Sequence, residues 1–165
     1  MCVVRISLLK MLLVEFEEIT GKIIGCAMKV HTALGNGFHE VIYQRGLAIE
    51  MDIAGITYQR EMAMPVFYDH TEIETRRVDF FVEDAIMAEL KAITVLEAVH
   101  LAQALNYLEA YKMRTGLLTN FGSSKLTFKR IFNNKLESQG LRSSGILPNP
   151  ILLSFNPTYP GSDNG

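Results

Sequence analysis

The sequence predicts one α/β domain in which a mixed β-sheet is flanked by helices, in the element order αα-βββ-α-ββ. The N-terminal third carries apolar residues at helical spacing, whereas the chain from Ile56 onward alternates and is rich in β-forming residues. A further helical pattern separates the third predicted strand from the last two, so an α/β arrangement is expected. At 165 residues the chain is long enough to bury a core of its own.

Two helices open the predicted domain. The first covers residues 16–34, and the second covers about residues 38–53. The apolar stripe of the first helix consists of Ile19, Ile23, Ala27, Val30 and Leu34. Gly35, Asn36 and Gly37 predict a tight connection between the helices, because glycine adopts backbone angles that other residues avoid.

Three strands follow, at residues 56–68, 76–82 and 86–92. Pro65 has no backbone N–H to give to a neighbouring strand, so the first strand is expected at a sheet edge, or with a bulge or a break. The second and third strands are close in sequence, so a short loop around Asp84 is expected to join them.

The last helix and two more strands complete the predicted core. Thr94 and Glu97 match a capping-box pattern, which predicts a helix over about residues 97–113. Residues 115–121 and 125–132 are rich in β-forming residues and predict the two final strands. The helix therefore lies between the third and the fourth strand of the chain.

The predicted domain covers residues 16–134. Residues 1–15 precede it as an N-terminal extension, which is apolar but interrupted by Arg5 and Lys10, so neither a signal peptide nor a membrane span is expected. Residues 135–165 contain four of the five prolines among Ser, Gly and Asn, and this composition predicts an irregular or disordered tail.

The composition is that of an ordinary globular protein and excludes few functions. The formal charge is −2 and the isoelectric point is near 6.1, so nucleic acid could be bound only through a local basic patch. Cys2 and Cys26 fit neither a disulfide framework nor a zinc site. Two free thiols are typical of a reducing compartment, which predicts a cytoplasmic protein.

The stretch RRVDFFVEDAIMAELKAI holds the candidate site, because Asp79, Glu89 and Lys91 interrupt otherwise apolar strands. Burying a charge is costly unless the charge is paired or binds a metal. Side chains two apart in a strand share a face, so Glu89 and Lys91 lie together, about 7 Å apart at Cα. Asp79 joins them only if an odd number of residues, such as three, forms the loop centred on Asp84.

Two carboxylates and an ammonium group on one patch suit phosphoryl chemistry. Carboxylate oxygens bind Mg²⁺ or Mn²⁺, and such an ion polarises a phosphate and activates water. A neighbouring lysine orients that water and offsets the charge that develops on phosphorus. The alternative is an ordinary ion pair on a solvated sheet face, either Lys91 with Glu89 or Arg77 with Asp79.

Asp79 followed by the tripeptide Glu89–Lys91 resembles the signature of the PD-(D/E)XK nuclease superfamily, with Val78 in place of its proline. The segment Gly37–Tyr43 (GFHEVIY) resembles the motif of the GxxExxY family within that superfamily. The likeness runs from about Thr20 to Asn133, most of the chain. It implies a restriction-endonuclease-like αβββαβ core with a mixed central sheet flanked by helices.

The resemblance also implies roles for the matching residues. Asp79 and Glu89 are expected to bind Mg²⁺ or Mn²⁺, with the Leu90 carbonyl as a third ligand. Lys91 is expected to be the catalytic lysine, and Glu40 to complete or orient the metal shell.

Further residues follow the same resemblance or supply positive charge. Gln103 and Tyr107 match the QxxxY motif of the RecB-like branch, one turn apart on the last helix. Gln103 is expected to assist catalysis and Tyr107 to bind substrate, although packing explains Tyr107 equally well. Lys129 and Arg130 are candidates for phosphate binding, and a solvated face is their alternative.

Three functions remain open on the sequence. The first is a Mg²⁺- or Mn²⁺-dependent nuclease acting on DNA, and the second is a catalytically silent module of the same fold that binds nucleic acid or a protein partner. In the third, the charged residues merely pair. A zinc-protease helix is excluded, because Tyr43 stands where the second histidine after His39 and Glu40 would be needed. A homodimer or a protein partner would help so small a domain to hold its substrate.

Overall fold

The computed structural model describes residues 2–136, and of residues 2–9 and 12 only the helical backbone. The helices are α1 Cys2–Leu34, α2 Glu40–Ile53 and α3 Ala98–Ala110. The strands are β1 Tyr58–Tyr68, β2 Thr71–Val82, β3 Ile86–Lys91, β4 Thr115–Asn120 and β5 Thr127–Phe132. The predicted element order is therefore confirmed.

The five strands form one mixed sheet in the order β1-β2-β3-β4-β5. Neighbouring strands are antiparallel except β3 and β4, which are parallel and are connected through α3. A parallel pair cannot be joined by a tight turn, so the helix is the connection that this pairing requires. The predicted α/β fold with a mixed sheet is confirmed.

The first strand behaves as its proline predicts. β1 lies at one edge of the sheet, and its pairing with β2 shifts register between Val66 and Phe67, directly after Pro65. An edge strand leaves one side of its backbone unpaired, so the missing N–H of Pro65 costs the sheet little.

Two apolar clusters, one on each face of the sheet, hold the layers together. The larger cluster packs α1 and α2 against the sheet and includes Ile23, Tyr43, Leu47, Phe80 and Leu117. The second cluster packs α3 against the opposite face through Leu108, with Phe81, Met87 and Leu118 among its members. Helices thus cover both faces of the sheet, so polar side chains within its apolar strands are shielded from water.

Helix α1 is longer than predicted. It starts at Cys2 and not at residue 16, because residues 2–15 contain neither Gly nor Pro and consist largely of good helix formers. Among the α1 side chains that the structure describes, Phe16 and Ile19 are the first that pack against the core, and the apolar pattern predicted the start of the helix at the same place. No helix in the described residues is long and apolar enough to cross a membrane.

The start of α3 corrects one prediction. The N-cap is Glu97, whose N–H donates to Nδ1 of His100 at 3.0 Å in a reciprocal capping box. Thr94 lies in the bend before the helix, so the predicted box of Thr94 with Glu97 is wrong: the N-cap is Glu97, three residues after Thr94. Residues 134–136 are helical, and the rest of the predicted tail, from residue 137, lies outside the described residues.

Candidate active site

The β2–β3 hairpin fixes the register on which the candidate site depends. Val82 pairs with Ile86 and Phe80 with Ala88, so three residues form the loop, with Asp84 at its centre. The loop requires left-handed backbone angles, with φ of 50° at Asp84. Extending this register by one residue places Asp79 opposite Glu89, and the predicted three-residue loop is confirmed.

The backbone ladder between β2 and β3 ends at the Phe80–Ala88 pair, and the Asp79 side chain takes over from there. Asp79 Oδ2 accepts the backbone N–H of Leu90 at 2.7 Å, and Oδ1 accepts the side-chain amide of Gln44 at 3.0 Å. Both carboxylate oxygens are therefore held. We call the site formed by Asp79, Glu89 and Lys91, together with Glu40 and Gln44 of α2, the ladder end.

The strand is irregular at the same point. Val78 packs in the cluster on the α3 side, whereas Phe80, two residues later, packs on the side of α1 and α2. In the register of β1 and β2, Glu61 falls opposite Asp79, and its φ is 53°. This change of phase lets Asp79 reach both Gln44 of α2 and the backbone of β3.

The carboxyl group of Glu89 lies against that of Asp79. Burial and the nearby charge of Asp79 raise the pKa of Glu89 to about 8, against the opposing effect of Lys91. Burial also raises the pKa of Asp79, while the Leu90 N–H and Lys91 act in the other direction. With no cation present, the two acids are close enough to share a proton near neutral pH.

Glu40 approaches the same place from the first turn of α2. Burial raises its pKa, and the charge of Asp79 adds to this effect. Lys91 and the backbone N–H of Ala92 favour the ionised form. Glu40, Asp79, Glu89 and Lys91 therefore act on one another electrostatically, although they come from α2, β2 and β3.

The alternative of ordinary ion pairs gains no support. Among residues 10–136, none of the ion pairs joins Lys91 to Glu89 or Arg77 to Asp79. Lys91 is half-buried near three acids. An arrangement with more carboxylates than ammonium groups carries unbalanced negative charge once the acids ionise.

The donor chemistry of the ladder end fits a hard divalent cation. Within the described part of the chain, no group of three or more His, Cys, Asp or Glu side chains is arranged to enclose a metal ion. Mg²⁺, however, needs only one or two protein carboxylates and keeps several waters. Burial raises the pKa of both Asp79 and Glu89, and at Glu89 the charge of Asp79 adds to it; a bound cation would favour the ionised form of both.

Tyr43 organises the connection between α1 and α2. It is fully buried, and its hydroxyl donates to the Gly35 carbonyl at 2.8 Å and accepts the Phe38 N–H at 3.1 Å. Its ring stacks on Phe121, with the centroids 4.7 Å apart. Tyr43 thus fixes the start of α2, and with it the position of Glu40.

Asn120 holds the backbone that leaves β3. It is fully buried at the end of β4, level with Lys91 in the parallel register. Its side chain accepts the Ile93 N–H at 3.0 Å and donates to the Ile93 carbonyl at 2.8 Å, while Phe121 N–H donates to the Lys91 carbonyl at 2.7 Å. Gly122 packs against the backbone of Ala92 and Ile93, and a Cβ added to it would meet Ile93 N at 2.3 Å, so the position has no room for a side chain.

The QxxxY pair on α3 lies in a different environment. Gln103 is exposed, and its amide donates to the Tyr107 hydroxyl at 3.0 Å. The Arg76 guanidinium lies 5.4 Å from the centre of the Tyr107 ring, within the range of a cation–π contact. Tyr107 also packs against the α3-side cluster, as its packing alternative predicted.

The two basic residues of β5 point to opposite faces. Lys129 pairs with Leu118, which pairs with Glu89, so Lys129 shares the face of Glu89 two strands away. Arg130 is on the other face, where its Nε donates to the hydroxyl of buried Thr20 at 2.7 Å. Of the two, only Lys129 shares a face of the sheet with Glu89.

Sequence reasoning missed two residues, Gln44 and Asn120. Gln44 stands four residues after Glu40 and is the polar residue in the buried face of α2, which is the signal that could have found it. Asn120 ends a fully buried strand, where an amide is unexpected unless it has partners.

No match to a curated protein was found. The solved structure titled "Crystal structure of SSO0001" aligns with 61% of this chain at 14% identity and a TM-score of 0.42. The alignment covers 57% of that protein, less than two thirds of its length. The model of the PD-(D/E)XK nuclease superfamily matches residues 17–131, and the chain belongs to this superfamily.

Proposed function

We propose that the protein is a divalent-metal-dependent nuclease that hydrolyses phosphodiester bonds, with DNA as the expected substrate and Mg²⁺ or Mn²⁺ as the cofactor. The supporting observation is the convergence of Glu40, Asp79, Glu89 and Lys91 at the ladder end. Acids with shifted pKa values that act on one another are typical of catalytic sites. Membership of the PD-(D/E)XK nuclease superfamily supports phosphodiester hydrolysis as the reaction.

Asp79 and Glu89 would hold the ion, with the Leu90 carbonyl as a third oxygen ligand and Glu40 completing or orienting the shell. When bound, a divalent cation would offset phosphate charge and make a nucleophilic water available near neutral pH. Asp79 is held in place by its two hydrogen-bond donors, so its carboxylate needs little rearrangement. Loss of the proton shared with Asp79 readies Glu89 to act as a ligand.

Lys91 is the proposed catalytic lysine. It stands two residues beyond Glu89 in β3, and the backbone after it is fastened by Phe121 and Asn120. Its ammonium group would orient the attacking water and stabilise the negative charge that develops on the phosphate oxygens. A fixed backbone keeps this charge in place without reorganisation during the reaction.

The substrate side of the proposal involves α3 and β5. Gln103 would assist catalysis by orienting substrate, with Tyr107 as a contact beside it, and Lys129 would bind a phosphate. Arg130 is proposed with it from the sequence, although its guanidinium faces Thr20. The segment Gly37–Tyr43 and the Gln103–Tyr107 motif support the further proposal that the chain belongs to the GxxExxY family, in the RecB-like branch.

A catalytically silent module that binds nucleic acid or a protein partner is the second candidate. It is favoured because, among the side chains that the structure describes, no three His, Cys, Asp or Glu residues are arranged to enclose a metal ion. The formal charge of −2 also provides no general attraction for DNA. A partner protein or a homodimer in the cytoplasm would then supply the missing surface.

One experiment separates the candidates. Parent protein and the Lys91→Ala variant are incubated with single-stranded DNA, duplex DNA and RNA, with and without Mg²⁺. The nuclease proposal expects Mg²⁺-dependent cleavage by the parent alone, and Glu89→Ala is expected to be inactive as well. Binding without cleavage identifies the silent module, and equal cleavage by parent and variants assigns the activity to a contaminant.

A further inference from the structure

Gln44 is a buried residue of α2 whose side chain holds Asp79 at the ladder end. Its side chain is 6% exposed, and its neighbours Tyr43 and Leu47 on α2 are fully buried. A buried amide costs free energy unless it is hydrogen-bonded. Its amide nitrogen donates to Asp79, 35 positions further along the chain, so α2 and β2 are joined at this point.

The two donors to Asp79 divide its oxygens between them. Gln44 donates to Oδ1 at 3.0 Å, and the Leu90 N–H donates to Oδ2 at 2.7 Å. An ionised carboxylate has about four acceptor positions, so each oxygen keeps further capacity for a ligand. Leu90 donates from the backbone of β3, and Glu89, which also bonds to Asp79, is itself a proposed metal ligand. Gln44 is therefore the neutral side chain, outside the proposed ligands, that orients Asp79.

We propose that Gln44 is a positioning residue, whose amide holds the Asp79 carboxylate in the orientation that binds the divalent ion. This inference rests on the proposed function, because it requires Asp79 to be a metal ligand. Groups that orient metal ligands typically change metal affinity or activity by about 10- to 100-fold when they are replaced. Gln44 is too deeply buried to touch the substrate itself.

The test is calorimetric titration of Mn²⁺ into the full chain, comparing the parent with Gln44→Met. Methionine has nearly the same length and fills the same space, but it donates no hydrogen bond. We expect binding of Mn²⁺ to weaken by about 10- to 100-fold. The matched control is Gln59→Met, since Gln59 is exposed on β1 and its replacement leaves the affinity unchanged.

The titration is made well below the unfolding temperature of each variant, so that it reports on folded protein. A merely structural role of Gln44 lowers the unfolding temperature but leaves the Mn²⁺ affinity as it was, and that result overturns the inference. Should Gln44→Met fail to fold, Gln44→Asn keeps the amide on a side chain shorter by one methylene. The same loss of affinity is then expected, and unchanged affinity overturns the inference equally.

Failure of the proposed function gives a different result. If the parent itself binds no Mn²⁺, Asp79 is not a metal ligand, and the nuclease proposal and the role of Gln44 fall together. If the parent binds Mn²⁺ and Gln44→Met binds it as tightly, only the role of Gln44 is lost.

Discussion

The ladder end and the outer face of α3 each collect polar side chains, but in different surroundings. At the ladder end, Asp79 and Glu89 are largely withdrawn from water and their pKa values are raised. On α3, Gln103 is exposed and bonds to Tyr107, whose ring lies near Arg76. The side chains at the ladder end are acids whose ionised forms are disfavoured. Those on α3 are neutral, and they are either exposed to water or in contact with the Arg76 guanidinium.

If the proposed function holds, this difference separates residues that take part in the reaction from residues that hold the substrate. Charges in a half-buried site act on a reacting group much more strongly than charges in water, because less solvent screens them. Exposed polar groups exchange their partners for water at little cost, so they are suited to holding a substrate in place. We therefore expect changes at the ladder end to affect kcat, and changes on α3 to affect KM.

The largest expected effect is that of Lys91→Ala. Removal of the ammonium group is expected to lower kcat for DNA cleavage by at least about 100-fold, as for other groups that stabilise transition-state charge. Gln103→Ala is expected to cost less than about tenfold in kcat/KM, since an exposed side chain is replaced. The measurement is steady-state cleavage of a labelled oligonucleotide in Mg²⁺, with Lys22→Ala on the exposed face of α1 as the control. Equal losses for Lys91→Ala and Gln103→Ala would remove the distinction between the two regions.

The next largest effect is expected for Gly122→Ala. The added Cβ meets Ile93 N at 2.3 Å and the Ala92 carbonyl carbon at 2.5 Å, so the backbone after Lys91 has to move. We expect a loss of about 1–3 kcal/mol in the free energy of unfolding, together with reduced kcat. Urea unfolding measures the first effect. Gly21→Ala is the control, because Gly21 lies in α1 with open space around it and alanine there is expected to stabilise by about 0.5–1 kcal/mol.

The pH dependence of stability tests the raised pKa of Glu89, which is caused by burial and by the charge of Asp79. The pKa of Glu89 is about 8 in the folded protein and 4.5 in the reference state, so the folded protein keeps a proton that the unfolded chain loses. Stability of the metal-free protein is therefore expected to fall as pH rises from 4.5 to 8, because the unfolded state binds fewer protons there. Urea unfolding in EDTA across this range measures the slope. Glu89→Gln should flatten it, and a parent slope of the opposite sign would contradict the assignment.

Local patterns were enough to predict the frame of the site. Alternation and helical spacing indicated the element order, and Pro65 indicated the edge strand. The site hypothesis required an odd loop centred on Asp84, and the hairpin has a three-residue loop there. These features are determined by residues close together in the sequence, where backbone geometry leaves few options.

The supports of the site could not be predicted in the same way. Gln44 bonds to a residue 35 positions away, and Asn120 to Ile93, 27 positions away. Such partners depend on how α2 and the end of β4 pack on the sheet, and no spacing in the sequence encodes that. The motif match also assigned both Gln103 and Asp79 to catalysis, because a motif does not show that one side chain is exposed and the other partly buried.

The smallest expected effect separates the two basic residues of β5. Lys129 shares the face of Glu89, whereas Arg130 is engaged with Thr20 of α1. Lys129→Ala is expected to weaken DNA binding a few-fold and to reduce the slope of log affinity against log salt by about 1. Arg130→Ala is expected to lower the free energy of unfolding by about 0.5–1.5 kcal/mol, the usual contribution of one hydrogen bond. Salt titrations use Glu89→Ala protein as the background, so that the DNA stays intact. If Arg130→Ala changes the salt slope and Lys129→Ala does not, the substrate crosses the α1 face of the sheet and the site has to be approached from the other side.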